Sequence, residues 1–372
     1  MKRRTSSRSS IAAVLMGVTA LVMGVAGTGA NAAPDESIEQ QIADRINVAG
    51  RGAAVADYGF SAGLSGGFAS DTAGSGPVLP SWLAAFGYGL LNPDAAPPGA
   101  NDWGCKPTAA HPRPVVLLHG TWMNAYNSFA FMSQPIKDAG FCTFAFNYGR
   151  SNPAQGGGLP PVLPGVMGTS TIEDSAKQLA TFVDRVLAAT GAPAVDLIGY
   201  SQGGAMANWY TKFDGGADKV QHLITFGATH HGSTIDGIAA LGRAINNIGV
   251  DVVGASSIVV GHAVAEQTVG SDFVNQLNAN GDTIPGIDYT IVGTRYDEIM
   301  TPYNLTFLRP TRGASVQNIT LQDGCETDFS DHQTLMYSPR ALSIALRALD
   351  PAGHSNLACT FNPWLIGGGG HL

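Results

Sequence analysis

Five short apolar runs punctuate the chain beyond residue 112, each closing on or beside a glycine: PVVLLHG, FCTFAFNYG, AVDLIGY, HLITFGA and DYTIVGT. Continuous apolar runs of this length suit strands buried on both faces. Between the second and third lies TIEDSAKQLATFVDRVLAATG, in which Ile172, Leu179, Phe182, Val183, Val186 and Leu187 recur at helical spacing. Thr171 is its expected N-cap and Gly191 its expected stop. A further helix is expected over residues 202–213. Strands alternating with helices predict right-handed crossovers and an α/β fold, with a mostly parallel sheet flanked by helices.

The third run continues into LIGYSQGG, which places Ser201 between Gly199 and Gly203. Strand, G-x-S-x-G, helix is the turn that lifts a serine hydroxyl above the sheet of an α/β hydrolase. Large side chains at either end of so sharp a corner would clash, and the helix that follows brings its positive end to the serine. The pattern alone is weak in a chain with 48 glycines. Its setting between a strand and a helix is what makes Ser201 a candidate nucleophile.

A serine hydroxyl needs a base, and the base needs an orienting acid. In this architecture they follow in the order serine, acid, histidine. Of the histidines beyond residue 261, His262 falls in an apolar stretch, and His354 and His371 lie near or in the tail. His332, in the polar loop ETDFSDHQTLM, is the expected base. The acid should follow the strand DYTIVGT, which selects Asp297, with Glu298 as its neighbouring competitor. Asp282 and Asp288 precede that strand and fall at the wrong end of the sheet. The oxyanion donors are expected from the backbone N–H of Gln202 and from Thr121 in LLHGTW, by its N–H and its hydroxyl. His119 reads as architectural, and His230 and His231 as loop-packing residues.

The N-terminus has the form of an export signal. Lys2, Arg3, Arg4 and Arg8 precede an uncharged stretch from residue 11 to 32, which closes on Ala30-Asn31-Ala32. Removing residues 1–32 takes four positive charges from a chain of net charge −8 and leaves −12. Such an acidic protein is a poor partner for nucleic acid. Cys105, Cys142, Cys325 and Cys359 form no C-x-x-C pair, which argues against zinc. An even count in an exported chain favours two disulfides. Three pairings exist, and sequence neighbours are favoured, Cys105–Cys142 and Cys325–Cys359. Each such loop is worth about 3–4 kcal/mol in the chain-entropy account. Residues 33–100, rich in Ala, Gly and Ser, read as an N-terminal extension with a short helix near residues 37–48 and an aromatic patch, SWLAAFGYGLL.

Taken together, HPRPVVLLHGTW, LIGYSQGG, TRYDEIMTP and DHQTLMYSP resemble the class 2 group of secreted α/β-hydrolase lipases, the actinobacterial members above all. The resemblance runs from about residue 101 to the C-terminus and extends to lipase B of yeast. It implies carboxylic ester hydrolysis, often of acylglycerols, with Ser201, Asp297 and His332 as the triad, Thr121 and Gln202 at the oxyanion and no cofactor. It also implies both neighbour disulfides. Gly199 departs from it, standing where the yeast enzyme has a bulkier residue, so an acyl preference is not carried over.

Residues 101–372 are thus expected to form the catalytic domain, with 233–287 inserted as a cap. That insertion holds IDGIAALGRAINNIGVDVVGASSIVVGHAV, nearly uncharged, and residues 252–260 are its candidate contact with a lipid interface. The same triad would serve an acyltransferase or a hydrolase of polyesters such as cutin. A binding protein on a dead hydrolase scaffold would carry a damaged triad, and none is visible. We expect a secreted monomer acting on lipid or another ester.

Overall fold

The computed structural model describes residues 67–235 and 260–368. The expected export signal, the helix near residues 37–48, His371 and all but the last residue of the 252–260 segment lie outside them. In chain order the elements are β1 (Phe68–Asp71), α1 (Trp82–Leu91), β2 (Val115–Leu118), α2 (Ala125–Phe129), α3 (Ser133–Asp138), β3 (Thr143–Arg150), α4 (Ile172–Thr190), β4 (Val195–Tyr200) and α5 (Gln202–Phe213). Then follow β5 (Val220–Phe226), α6 (His262–Glu266), α7 (Asp272–Asn278), β6 (Asp288–Gly293), β7 (Ser315–Thr320) and α8 (Pro339–Leu349).

The strands form one sheet in the order β1-β3-β2-β4-β5-β6-β7. Only β1 runs antiparallel to its neighbour; β2 pairs in parallel with β3 and β4, and β4 through β7 continue in parallel. This is the α/β-hydrolase arrangement, and β4, which leads into Ser201, lies at its middle. Strand alternation divides the core. Val115, Leu117, Ile198 and Tyr200 face one apolar cluster with residues of α1, α2 and α8. Val116, Leu118, Val195 and Leu197 face the other, with residues of α4, α5 and α7. Covering both faces leaves these strand residues fully or almost fully buried, each worth roughly 1.5–3 kcal/mol for the larger aliphatics.

All five strands read from the sequence are present, and the two others are edges. The four residues of β1 are exposed, and β7 is polar and mostly accessible, so neither carries an apolar run. The aromatic patch of the N-terminal extension is helix α1. Its Gly89 is unfavourable to a helix in isolation, but it lets the backbone approach Asn124 and Asn127, where an added Cβ would come within 3.0 Å.

Helix α4 buries the expected face, with Leu187 at its margin. Its C-terminus ends on Gly191 in the left-handed conformation, and the Gly191 N–H donates to the Leu187 carbonyl. The N-terminus differs from expectation. Thr171 occupies the N-cap position but makes no side-chain cap bond. The carboxylate of Glu266 accepts from the Ile172 N–H instead, at 2.8 Å. The acceptor is distant in sequence because Glu266, the last residue of α6 on the returning limb of the expected cap, reaches this helix end.

Disulfides join Cys105 to Cys142 and Cys325 to Cys359. No helix among the described residues is long and apolar enough to cross a membrane.

Candidate active site

The corner after β4 is built as its glycines require. Ser201 takes φ 53° and ψ −123°, in the positive-φ region that side chains seldom adopt. Its N–H donates to the Phe226 carbonyl of the neighbouring strand at 2.9 Å, which holds the turn. A Cβ on Gly199 would lie 2.6 Å from the backbone of Gly204, and one on Gly203 would lie 2.4 Å from the Leu118 carbonyl oxygen. In this chain neither glycine can take a side chain unless the facing backbone moves. The turn delivers Ser201 to the N-terminus of α5, where the first N–H groups have no intrahelical acceptor. The Gln202 N–H is the first of these.

His332 comes from the loop after β7. Its Nε2 lies 3.0 Å from Ser201 Oγ, and its Nδ1 lies 2.9 Å from both carboxylate oxygens of Asp297. All three side chains are buried, His332 to 2% exposure. Asp297 is itself held, because its Oδ1 accepts from the N–H groups of Ile299 and Met300 at 3.1 and 2.6 Å. Of the two adjacent acids, Asp297 faces the ring. Glu298 accepts from the backbone N–H of His332 at 3.1 Å, and the Tyr200 hydroxyl donates to the His332 carbonyl at 3.0 Å. Asp331 is occupied with its own loop, accepting from Thr334 and from the Leu365 N–H.

Charge on this cluster is set by neighbours. Burial works to lower the pKa of His332, but the charge and hydrogen bond of Asp297 outweigh it and leave the imidazole raised. Burial, then repulsion from Asp331 and Asp297, pushes the Glu298 carboxyl up to about 8. Glu298 is therefore mostly protonated at neutral pH, which limits the negative charge crowded beside the histidine.

The loop after β2 lies alongside. A Cβ on Gly168 would come within 3.0 Å of the Gly120 carbonyl, 3.4 Å of Thr121 Cα and 2.7 Å of the Gln202 side-chain oxygen, so Thr121 and Gln202 flank one narrow space. The sequence reading had no signal for Gln267, whose side-chain amide donates to Thr121 Oγ1 at 2.8 Å. Only the fold brings a residue 146 positions away onto that hydroxyl.

Of the other histidines, His119, His230 and His231 are occupied elsewhere. Burial lowers His119 to about 4, a cost partly offset by its bond to the Gly120 carbonyl. Its Nδ1 lies 2.9 Å from that oxygen while Nε2 accepts from the Tyr148 N–H, which fixes the tautomer of a neutral ring. Burial, then the charge of His231, lowers His230 to about 3, and its Nε2 meets Thr225 Oγ1. His231 bridges the Leu305 carbonyl and Asp282, while Asp288 lies at the start of β6 near His222. Neither aspartate reaches His332.

The family model of lipase (class 2) matches residues 112–341. Among solved structures, the chain is similar to lipase B of Aspergillus fumigatus, at 18% identity and a TM-score of 0.51, over 68% of this chain and 55% of that one. The chain thus matches about half the length of the Aspergillus enzyme, and the likeness is one of fold. It is also similar to the mature form of lipase BlEst2 from Bacillus licheniformis, at 16% identity and a TM-score of 0.44, over 65% of this chain and 94% of that one.

Proposed function

This chain belongs to the class 2 lipases, a family of carboxylic ester hydrolases, and from that premise we propose that it is a secreted serine hydrolase cleaving carboxylic esters, acylglycerols foremost, through an acyl-enzyme on Ser201. The observation that carries this reading is the unbroken path from Ser201 Oγ through the His332 imidazole to Asp297, with contacts of 3.0 and 2.9 Å, at the mouth of the central strand.

In this mechanism Ser201 Oγ attacks the ester carbonyl carbon as His332 Nε2 takes the hydroxyl proton. Asp297 keeps Nδ1–H pointed at itself, so that Nε2 is the basic atom, and stabilises the imidazolium that forms. The former carbonyl oxygen, now negative, meets the Gln202 N–H, the Thr121 N–H and the Thr121 hydroxyl. Collapse expels the alkoxide, which takes the proton from Nε2 and leaves as an alcohol. Water then attacks the acyl-serine, giving its proton to the same nitrogen. The second collapse returns the proton to Ser201 Oγ and frees the carboxylic acid.

We assign residues 1–32 to export, 33–100 to an extension that lends β1 and α1 to the fold, and 101–372 to the catalytic domain with 233–287 as its cap. Secretion is supported by the form of the N-terminus and by two disulfides, which persist in oxidising compartments. Hydrolysis of p-nitrophenyl esters from C2 to C16, beside an emulsified triglyceride, tests the substrate class. Turnover of long chains and of the emulsion is expected. Cleavage confined to C2–C4 would reduce the activity to that of an esterase, and acyl transfer to an added alcohol in preference to water would make it a transferase.

A further inference from the structure

We propose that Gln267 is a positioning residue for the oxyanion hole, turning the Thr121 hydroxyl proton toward the reacting carbonyl and thereby tying the returning limb of the cap to the transition state. The proposal rests on the reading of Ser201 as nucleophile and Thr121 as oxyanion donor.

Gln267 directly follows α6 and is 8% exposed. Its Nε2 lies 2.7 Å from the Ala263 carbonyl and 2.8 Å from Thr121 Oγ1, and its Oε1 lies 3.0 Å from Thr229 Oγ1. The amide's orientation follows from these partners. A backbone carbonyl only accepts, so the group facing Ala263 is the nitrogen and the oxygen faces Thr229, whose hydroxyl donates. Both amide hydrogens are then committed, one to Ala263 and one to Thr121. Backbone bonds fix the residue as well: its N–H donates to the Val264 carbonyl, and its carbonyl accepts from the Ser233 N–H at 2.8 Å.

The consequence falls on Thr121. A hydroxyl has one proton and two lone pairs. Because Thr121 Oγ1 accepts from Gln267, its proton must point elsewhere, and among the described residues no acceptor takes it. The adjoining Gly120 is so close to the nucleophile that a Cβ there would lie 3.2 Å from Ser201 Cβ. Thr121 directly follows this contact, and we assign its remaining proton to the nucleophile's side, held there before any negative charge develops. Preorganised donors of this kind are worth far more in a water-poor site than in solution. Because Gln267 also binds Thr229 after β5 and Ala263 in α6, displacement of the cap's returning limb would withdraw the amide and let the hydroxyl turn.

The test is a double-mutant cycle on the full-length secreted protein, with p-nitrophenyl butyrate as probe and kcat and KM measured separately. Thr121→Val keeps the backbone N–H and shape but loses the hydroxyl; it should lower kcat about 10²-fold with KM little changed. Gln267→Met keeps the volume and loses the amide; it should lower kcat about tenfold or more in the parent and by less than about twofold in the Thr121→Val background. Gln267→Glu, should the methionine variant fail to fold, keeps the acceptor for Thr229 but draws the Thr121 proton onto its own carboxylate, and it should show the same cycle. Equal losses in both backgrounds, or an unchanged kcat in the parent, would overturn the positioning role while leaving the hydrolase reading intact. Parent turnover that survives Ser201→Ala would overturn the reading itself, and this proposal with it.

Discussion

At the residue scale the two adjacent acids have been given different work. Asp297 touches the imidazole, whereas Glu298 holds the loop backbone and stays mostly protonated at neutral pH. Asp297→Asn should therefore cost about 10⁴-fold in kcat with the fold intact. Glu298→Gln replaces a neutral acid by a neutral amide and should stay within about threefold of the parent at pH 7. Steady-state kinetics of the two variants checks both, and the reverse order of losses would reassign the acid. The sign of the pH dependence also follows. In the proposed mechanism the unprotonated imidazole is the base, and its pKa is raised, so kcat/KM should climb with pH along a limb lying above the ordinary 6.5 of histidine. A limb at or below that value in the pH–rate profile would contradict the assigned electrostatics. For Glu298 the linkage concerns stability. Its carboxyl ionises near 4.5 when unfolded and at about 8 when folded, so the unfolded state releases its proton first and stability falls as pH rises between those values. Glu298→Gln removes that loss and should raise Tm at pH 8 more than at pH 5, as a thermal-melt series would show.

At the element scale, legibility tracked burial. The five inner strands announced themselves because both faces are covered, which fills most of their positions with apolar residues. The edges β1 and β7 did not, since one exposed side needs no pattern. Ser201 was readable because its turn sets backbone against backbone at Gly199 and Gly203, a constraint carried by adjacent residues. Gln267 was not, since its role depends on a contact across 146 residues. The cap of α4 failed for the same reason: Thr171 satisfied the local rule, yet Glu266 supplies the acceptor. Burial, then the charge of Glu173, raises the Glu266 carboxyl well above the usual range, but it accepts from Ile172 in either protonation state. Glu266→Ala should cost about 1–2 kcal/mol, the range for a lost N-cap, and lower Tm by several degrees. Glu266→Gln retains an acceptor and should lose much less. Equal Tm values for the alanine and parent proteins in differential scanning calorimetry would remove the capping role.

At the scale of the whole molecule, the disulfides divide their work by position. Cys105–Cys142 ties the segment before β2 to the start of β3, away from the triad, whereas Cys325–Cys359 ties the loop that carries His332 to the chain beyond α8. Loss of either closes fewer conformations in the unfolded state, at about 3–4 kcal/mol by the entropic account. Paired Cys→Ser variants should therefore fall in Tm alike, while kcat should fall further for Cys325→Ser/Cys359→Ser. Similar kcat losses for both pairs would show that the second bridge does not steady the base. The central claim, that Ser201 forms the acyl-enzyme with His332 as its base and Asp297 as the orienting acid, is tested most directly by intact-protein and peptide mass spectrometry. The protein would be treated with an alkyl p-nitrophenyl phosphonate, with ester turnover followed in the same samples. The account predicts one phosphonyl group per chain, located on Ser201, with turnover lost in step with labelling and both abolished in Ser201→Ala. Labelling at another residue, or turnover that persists in Ser201→Ala, would contradict it.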